Sequence, residues 1–430
     1  MPVTRRFFLK SAGLTLFGAG CVPSFMRRTA FALDASGRRR KVLVAIFQRG
    51  AVDGLNMVIP FAEKDYFSMR PTIAIPEPQA HPATGVGPAA VDLDGFFALH
   101  PSLAQVKPLF DARQLAVVHA VGSPGNTRSH FDAQDYMETA TPGVKSTRDG
   151  WLNRYLVTRP EAEATPFRAV AVAPRMPRTL QGQASSLVLD EIKNFRLLGR
   201  PDPMRFQPAT PAAEEHAFEE MYASSQDPLF SRAAAETFEA IRTLRHIGAE
   251  DYQPANGAQY PRGKLGQDLE QVAQLIKADV GLEVAFANVG GWDNHVNEGG
   301  VEGQLANNLK EFGDALAAFH KDLGDRMEDV VVLTMSEFGR TARENGNRGT
   351  DHGHANAMFV MGGPVKGGKV YGQWPGLKPG QLNQDRDLAM TTDFRDVFAE
   401  VVVRHLGAKN TAAVFPGFAV SAERFRGFIA

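Results

Sequence analysis

The chain has 430 residues, of which 43% are hydrophobic and 22% charged, and its 47 basic and 48 acidic residues give a formal net charge of −1. This length and apolar content allow a full hydrophobic core in one large domain or in two. The charge balance gives no sign of a basic surface for nucleic acid, so we expect no nucleic-acid partner.

The first 32 residues have the pattern of a twin-arginine export signal. Arg5 and Arg6 precede Phe-Phe-Leu-Lys and a short Gly/Ala-rich apolar run, and the Ala-Phe-Ala that ends at Ala32 is a small-x-small cleavage site. The apolar run is too short to span a bilayer, so we expect no stable membrane span. The pattern predicts a protein that the twin-arginine translocase exports to the periplasm or the exterior. The alternative is a basic amphipathic start of the mature protein.

The single cysteine, Cys21, lies within this segment. Gly18 stands three positions before it, where a lipoprotein signal has an aliphatic residue, so lipid anchoring through Cys21 is the weaker alternative. Cleavage after Ala32 removes five of the 47 basic residues and none of the 48 acidic ones, which leaves a mature chain, 33–430, with a formal charge of −6. That chain contains no cysteine, which excludes disulfides and thiol chemistry.

The first predicted strand, KVLVAIF at 41–47, ends in the turn QRGAVDGLN. Gly50 and Gly54 bracket Asp53 at what would be the carboxyl edge of a buried sheet, where the backbone can approach an ion closely. Asp53 is therefore a candidate metal ligand. The alternative is that it only caps a turn or a helix.

A second predicted strand, LAVVHAV at 115–121, is followed by a Gly-rich turn and a predicted helix at 131–140. Thr127, Arg128 and Ser129 stand at the start of this helix. Backbone N–H groups there favour an anion, Arg128 could clamp two oxygens, and a hydroxyl could act as nucleophile beside a metal. The alternative is that Thr127 or Ser129 is simply the helix cap.

The stretch 175–260 is Pro-rich and helical, and we interpret it as a helical insertion that follows a third strand at 168–173. A predicted strand at 283–289 is followed directly by Gly-Gly-Trp-Asp-Asn-His. Asp293 and His295 therefore lie in a Gly-containing turn at the end of a buried strand, as Asp53 does.

Two further apolar runs, 330–335 and 357–361, flank a polar loop that holds four potential metal ligands: Glu337, Asp351, His352 and His354. Carboxylate oxygen and imidazole nitrogen together suit a divalent cation such as zinc, manganese or iron, and calcium is a further option for the carboxylates. The alternative is that Asp351 and His352 cap a turn and that His354 lies in a solvated loop.

These turns all follow predicted strands, so their side chains can converge if the strands are neighbours. One or two metal ions beside a hydroxyl nucleophile can catalyse the transfer of a phosphoryl or sulfuryl group. The sequence thus predicts an ester hydrolase whose substrate is a small molecule or a glycan.

The motifs FQRGAVDGLN, TRSHFDAQDYMETA, GWDNH, SEFGRTARENG, GTDHGHANAMFVMGGPVKGG and TTDFRDVFAEVVVRHLG resemble those of the bacterial domain-of-unknown-function 1501 family. The family is placed in the alkaline-phosphatase-like superfamily, together with the sulfatases. The resemblance implies an α/β fold in which helices sandwich a central, mostly parallel sheet. It further implies a single domain over 33–430, with 175–260 as the insertion.

The resemblance also implies roles for individual residues. It matches Asp53 to the superfamily's metal-binding acid after the first strand, and Ser129 or Thr127 to the nucleophile loop, with Ser129 favoured. Glu337 falls where the superfamily has the Asp of an Asp-His or Asp-Asn pair, and Phe338 replaces the partner ligand. The remaining ligands would be Asp293, His295, Asp351, His352 and His354.

Two functions remain open on the sequence. The first is an exported, metal-dependent hydrolase of phosphate or sulfate esters, and the second is a non-catalytic exported protein on the same scaffold that binds a metal or an anion. A dinucleotide-dependent oxidoreductase is disfavoured because no Gly-x-Gly-x-x-Gly follows a predicted strand.

Overall fold

A computed structural model describes residues 39–78, 88–159, 165–192, 228–246 and 252–430. The predicted export signal and Cys21 lie outside the described residues, as do 193–227 and 247–251 of the predicted insertion.

The described residues form twelve strands. In chain order they are β1 Val42–Gln48, β2 Val58–Ile59, β3 Val91–Asp92, β4 Ala98–Leu99, β5 Leu115–Gly122, β6 Ala169–Val172, β7 Leu187–Leu189, β8 Val284–Val289, β9 Val330–Met335, β10 Asn356–Gly362, β11 Val370–Tyr371 and β12 Thr392–Asp393. The α-helices of the described residues are α1 Gly54–Met57, α2 Lys64–Met69, α3 Lys107–Asp111, α4 His130–Thr139, α5 Trp151–Thr158, α6 Pro228–His246, α7 Lys264–Lys277, α8 Gln304–Leu323, α9 Phe394–Glu400 and α10 Thr411–Val414.

Nine strands build one central sheet in the order β11-β5-β10-β9-β1-β8-β6-β7, and β12 also pairs with β5. Every pairing is parallel except those of β10, which runs antiparallel to both β9 and β5. The predicted mostly parallel sheet is therefore confirmed. Strands β2, β4 and β3 form a small antiparallel sheet of their own.

Helices cover both faces of the central sheet, as predicted. All seven residues of β1 are buried, and alternate side chains enter different apolar layers because successive side chains of a strand point to opposite faces. Val44 and Ile46 pack in the layer with residues of α7 and α8, whereas Leu43 and Phe47 pack in the layer with residues of α5 and α9. A strand buried on both faces needs the continuous apolar run that the sequence shows.

β10 runs opposite to both of its neighbours in the mostly parallel sheet. The chain leaves the carboxyl end of β9, forms the loop 336–355 and returns through β10 in the opposite sense. The residues just before β10 consequently lie at the same edge of the sheet as the carboxyl ends of β1, β8 and β9. Without this reversal, the long loop could not hold its two ends at one edge.

The stretch 175–260 does more than add helices. Leu187–Leu189 pairs in parallel with β6 and so completes the edge of the central sheet, and α6 comes from the same stretch. Part of the predicted insertion thus belongs to the main architecture.

Candidate metal centre

Four side chains meet at the edge of the sheet where β1, β8 and β9 end and β10 begins. Asp293 and His295 follow β8, His352 precedes β10, and His130 is the first residue of α4, the helix that follows β5. The loops that carry them are far apart in the chain, so the sheet order alone brings them together.

The distances between these four side chains are short. His352 Nε2 lies 2.9 Å from His130 Nε2 and 2.9 Å from His295 Nε2. Asp293 Oδ1 lies 3.0 Å from His295 Nε2, 3.3 Å from His352 Nε2 and 3.4 Å from His130 Nε2. Ligand atoms of His130, Asp293 and His352 therefore form one close group, and His295 Nε2 contacts two of its members, Asp293 and His352.

The other nitrogen of each ring contacts a hydrogen-bond acceptor. His352 Nδ1 donates to the backbone carbonyl of Arg128 at 2.8 Å, His130 Nδ1 faces Glu337 Oε1 at 2.7 Å, and His295 Nδ1 faces Asp351 Oδ1 at 3.1 Å. A proton on each Nδ1 leaves the lone pair on Nε2. This is the arrangement by which proteins fix the tautomer of metal-binding histidines.

Three converging lone pairs need a shared positive charge. A proton on one Nε2 could serve only one of the two 2.9 Å contacts made by His352, whereas a cation can accept all of the lone pairs at once. The hydrogen bond with Glu337 raises the pKa of His130, and burial lowers the pKa of His352. His130, Asp293 and His352, with His295 beside them, could thus hold a metal ion.

Arg340 holds Asp293 in place through a hydrogen bond. Its buried guanidinium donates to Asp293 Oδ1 and to the backbone carbonyls of Gly50, Ala51 and Trp292. Partial burial would raise the pKa of Asp293, but the hydrogen bond and charge of Arg340, together with the neighbouring His295 and His130, outweigh it and keep the pKa below its usual range. Asp293 is therefore ionised at neutral pH.

Glu337 supports His130 and does not itself enter the group of four. Its Oε1 accepts hydrogen bonds from the backbone N–H of Gly50 at 2.8 Å and from Gln134 Nε2 at 2.8 Å, in addition to its contact with His130. Burial would raise the pKa of Glu337, but the hydrogen bonds from His130 and Gln134 outweigh it and hold the pKa below normal. The buried carboxylate is thus an ionised acceptor that orients the ring.

The remaining predicted ligands of this loop lie around the centre. Asp351 contacts His295, as described above, and also accepts from Asn345 Nδ2 at 3.1 Å. His354 is buried away from the group, and its Nε2 donates to the carbonyl of Ser123 at 2.9 Å. Phe338 fills space beside the centre, with its ring centroid 4.9 Å from that of His130 and 5.1 Å from that of His352.

Asp53 lies in a separate buried cluster. Both of its carboxylate oxygens accept from Arg70, which also donates to the carbonyls of Thr341 and Ala342, and Asp53 caps α1 through the N–H of Leu55. Burial would raise the pKa of Asp53, but the charge of Arg70 and the hydrogen bonds from Arg70 and Glu298 together lower it below the usual value. A guanidinium therefore already neutralises the carboxylate that the resemblance assigns to a metal.

Thr127, Arg128 and Ser129 lie at the N-terminus of α4, next to the ligand candidate His130. Ser129 is exposed and is the N-cap of α4, where its Oγ accepts from the N–H of Asp132 at 3.5 Å, and Thr127 Oγ1 accepts from the N–H of Ser129 at 3.3 Å. The guanidinium of Arg128 is bound to Asp387 Oδ2 at 2.7 Å and to Gln384 Oε1 at 2.9 Å. Arg128 contributes its carbonyl to the centre, whereas its side chain points to that carboxylate.

A family model described as "Protein of unknown function (DUF1501)" matches residues 40–415 of the chain. The chain belongs to this family. No protein with a curated description matches the sequence.

Two solved structures are similar to this DUF1501 chain at low identity. One is the C-terminal periplasmic domain of EcEptC from Escherichia coli in complex with Zn, with 10% identity, a TM-score of 0.33, and coverage of 76% of this chain and 74% of that chain. The other is the lipoteichoic acid synthase LtaP from Listeria monocytogenes, with 9% identity, a TM-score of 0.32, and coverage of 80% and 68%. Among the described residues of the DUF1501 chain, no helix is long and apolar enough to cross a membrane.

Sequence reasoning did not assign His130 as a ligand in this DUF1501 member. Its position in the motif TRSHFD led us to consider only an anion site at a helix start. The signal that could have identified it is Gln134, one helical turn later, because the same face of α4 then presents both side chains to Glu337. The buried cations Arg340 and Arg70 were likewise not predicted.

Proposed function

We propose that this protein is an exported, metal-dependent hydrolase of phosphate or sulfate esters of a small molecule or a glycan. His130, Asp293, His295 and His352 would hold one divalent cation at the carboxyl edge of the sheet. The observation that carries the proposal is the close group formed by His130 Nε2, His352 Nε2 and the Asp293 carboxylate, with His295 Nε2 in contact with the last two. Each imidazole is oriented through its Nδ1. The signal at 1–32 would direct export by the twin-arginine translocase to the periplasm or the exterior.

The donor set narrows the identity of the ion. Three imidazoles and one carboxylate suit zinc, iron or manganese, whereas calcium takes six to eight oxygen ligands that this group does not offer. When bound, such an ion supplies Lewis acidity to an ester oxygen.

A second metal ion, which the sequence leaves open, does not fit these residues. Asp53 is fully engaged by Arg70, and Phe338 stands where the partner ligand would be. Glu298 lies buried in the same cluster, and burial together with the Asp53 charge raises the pKa of Glu298 well above its usual value. The proposal therefore has one ion, with Arg70 as the fixed cation of the other cluster.

Ser129 is the proposed nucleophile. Its hydroxyl is exposed, and the next residue is the ligand His130, so an ester held at the centre would lie close to Oγ. The N–H groups at the start of α4 would stabilise negative charge on the transferred group. Arg340 and Glu337 would hold Asp293 and His130 in place while a substrate binds.

Elemental analysis of protein purified without chelator tests the proposal, together with turnover of p-nitrophenyl phosphate and p-nitrophenyl sulfate. We expect one ion per chain and turnover of at least one ester, and we expect His352→Gln to lose both. His320→Gln is the matched control, because His320 lies on α8 and bonds to Gln114 at 2.7 Å. Wild-type protein without metal, or equal loss in both variants, would contradict the metal centre.

A second candidate function is metal binding without catalysis. It is favoured by Arg128, whose guanidinium is held by Asp387 and Gln384 and not turned towards a substrate oxygen. Ser129→Ala separates the two functions, because a covalent nucleophile is worth about a thousandfold or more in rate. Bound metal with no turnover in the wild type, or with turnover that survives Ser129→Ala, would exclude the proposed Ser129 mechanism.

A further inference from the structure

Asp387 is a buried carboxylate outside the group of four candidate ligands. Its side chain is fully buried, and its Oδ2 accepts a hydrogen bond from Arg128 Nη2 at 2.7 Å. The backbone carbonyl of the same Arg128 accepts from His352 Nδ1 at 2.8 Å. Arg128 therefore connects a buried charge with a ligand candidate of the metal centre.

The two chain neighbours of Asp387 are hydrogen-bonded to the loop between β9 and β10. The carbonyl of Arg386 accepts from the N–H of Ala342 at 3.1 Å, and the carbonyl of Leu388 accepts from the N–H of Ala355 at 3.2 Å. These bonds hold both sides of Asp387 against the loop that carries one of the candidate ligands. The carboxylate is thus fixed relative to the centre.

The segment 123–129, which contains Arg128, has no such backbone support, because it lies in neither a helix nor a strand. Side chains from other parts of the chain hold it instead. His354 Nε2 donates to the carbonyl of Ser123 at 2.9 Å, and Asp387 accepts from the guanidinium of Arg128. The position of the Arg128 carbonyl therefore depends on side-chain contacts.

The contact between Asp387 and Arg128 is a strong tether. A buried carboxylate that loses its cation is left with an uncompensated charge away from water, which is strongly unfavourable. Arg386 Nη1 lies 3.3 Å from the other oxygen, Oδ1, but Oδ1 makes no hydrogen bond with the described residues. Arg128 thus supplies the hydrogen bond to this carboxylate, and Arg386 adds charge at a longer distance.

We propose that Asp387 is a positioning residue that fixes the tautomer of His352 through Arg128. The carboxylate holds the guanidinium, and the guanidinium fixes the peptide that follows Arg128. The carbonyl of that peptide keeps the imidazole proton on Nδ1, which leaves the Nε2 lone pair available to a cation. This inference rests on the metal centre of the proposed function, and it adds a residue that touches neither metal nor substrate.

The zinc affinity of Asp387→Asn, measured by competition with a chelator of known affinity, tests the inference. We expect binding about tenfold to a hundredfold weaker, as is usual when a residue behind a ligand is changed. Asp322→Asn is the matched control, because Asp322 on α8 is an equally buried carboxylate that pairs with Lys277 and bonds to Tyr252 at 2.6 Å. It should keep the wild-type affinity. Equal weakening in both variants, or none in Asp387→Asn, would overturn the inference.

A double-mutant cycle with Arg128→Met shows whether Asp387 acts through Arg128. Arg128→Met removes the guanidinium but keeps the backbone carbonyl, and it should weaken zinc binding as Asp387→Asn does. Adding Asp387→Asn to Arg128→Met should then change the affinity by less than about twofold. Two losses that multiply would contradict a route through Arg128. Because Arg128 is partly exposed, its variant also serves if Asp387→Asn does not fold.

NMR of the imidazole nitrogens in metal-free protein gives a readout that a purely structural ion pair would not move. At about pH 8, where an ordinary imidazole is neutral, we expect His352 of the wild type to carry its proton on Nδ1. In Asp387→Asn we expect a mixture of the two tautomers, whereas Asp322→Asn should match the wild type. His352→Gln assigns the signals. An unchanged tautomer in Asp387→Asn would overturn the positioning role.

The two measurements separate this inference from the proposed function. A wild type that binds no zinc, but whose His352 tautomer is fixed and becomes mixed in Asp387→Asn, would support the role of Asp387 and contradict the metal centre. A wild type that binds zinc, with the same affinity and the same tautomer in Asp387→Asn, would leave the centre intact and overturn this inference alone.

Discussion

At the residue scale, Asp53 and Asp293 have different roles because each contacts a different buried arginine. Arg70 donates hydrogen bonds to both carboxylate oxygens of Asp53. Arg340 donates only to Asp293 Oδ1, and this same oxygen also faces the three imidazoles. A carboxylate with both oxygens bound by one guanidinium has little left for a metal. The two aspartates follow similar turns in the sequence, but only one belongs to the candidate centre.

We predict that Asp53→Asn leaves the metal content unchanged but destabilises the fold. Removing one partner of a buried ion pair leaves the Arg70 charge uncompensated, which costs about 3–5 kcal/mol. The measurements are elemental analysis and the free energy of unfolding in urea. Asp293→Asn is the counterpart and should lose metal with a smaller loss of stability. Loss of metal in the Asp53 variant would instead place Asp53 among the ligands.

Glu337→Gln should weaken metal binding by about tenfold to a hundredfold, because a neutral amide is a poorer acceptor for His130 Nδ1 and orients the ring less firmly. Competition with a chelator of known affinity measures this change. Glu344→Gln is the control, since Glu344 belongs to the same loop but bonds to Thr72. Equal affinities in wild type and Glu337→Gln would show that the hydrogen bond does not support the centre.

At the scale of single elements, the sequence predicts where the buried strands lie but does not predict in which direction each strand runs within the sheet. The prediction of a strand at 330–335 matches Val330–Met335 residue for residue, because a strand buried on both faces requires an unbroken apolar run. The antiparallel direction of β10 depends on long-range pairing with β9 and β5. The sequence of β10 itself does not indicate this direction.

The same limit applies to the site. The loops after β8 and β9 could be recognised because each collects acids and imidazoles within a few positions. His130 belongs to a helix that follows β5, and its approach to His352 depends on where β5 stands in the sheet. Arg70 could not be paired with Asp53, since the guanidinium comes from an irregular segment after α2.

The turn after β1 requires glycine at position 50, and this element yields a prediction. Gly50 has φ +114°, and a Cβ there would stand 2.8 Å from the backbone nitrogen of Asp293. Gly50→Ala should therefore displace the Asp293 turn and lower metal content, in addition to about 1–2 kcal/mol of backbone strain. Gly290→Ala is the matched control, because a Cβ at Gly290 meets nothing within 4 Å. Elemental analysis and thermal unfolding of both variants measure the difference.

At the scale of the whole molecule, two buried histidines make stability depend on pH. Burial lowers the pKa of His119 to about 4 and that of His405 to about 4, from an ordinary 6.5. Their Nε2 atoms face the carbonyls of Val58 and Val42, at 3.1 and 2.9 Å. The unfolded chain binds protons at these groups more readily than the folded one, so acid favours unfolding.

The stabilisation from these histidines is fully present above pH 6.5 and is lost as the pH falls towards 4. Each contributes about 2–3 kcal/mol to the loss between pH 7.5 and pH 4.5. The double variant His119→Gln, His405→Gln should show a shallower decline of the unfolding free energy over this interval, measured with urea at both pH values. An equally steep decline would assign the acid sensitivity to other groups. Between pH 7.5 and 9 neither histidine titrates, so wild type and variant should keep a constant difference.

The order of strands in the central sheet has a consequence for biosynthesis. The partners of β1 are β8 and β9, and those of β5 are β10, β11 and β12, so neither early strand has a neighbour until the ribosome has passed residue 284. Such distant pairings slow folding, since a long stretch of chain must be ordered before any contact compensates for it. A nascent polypeptide released before that point would expose two unpaired apolar strands, and we expect it to aggregate or to be degraded.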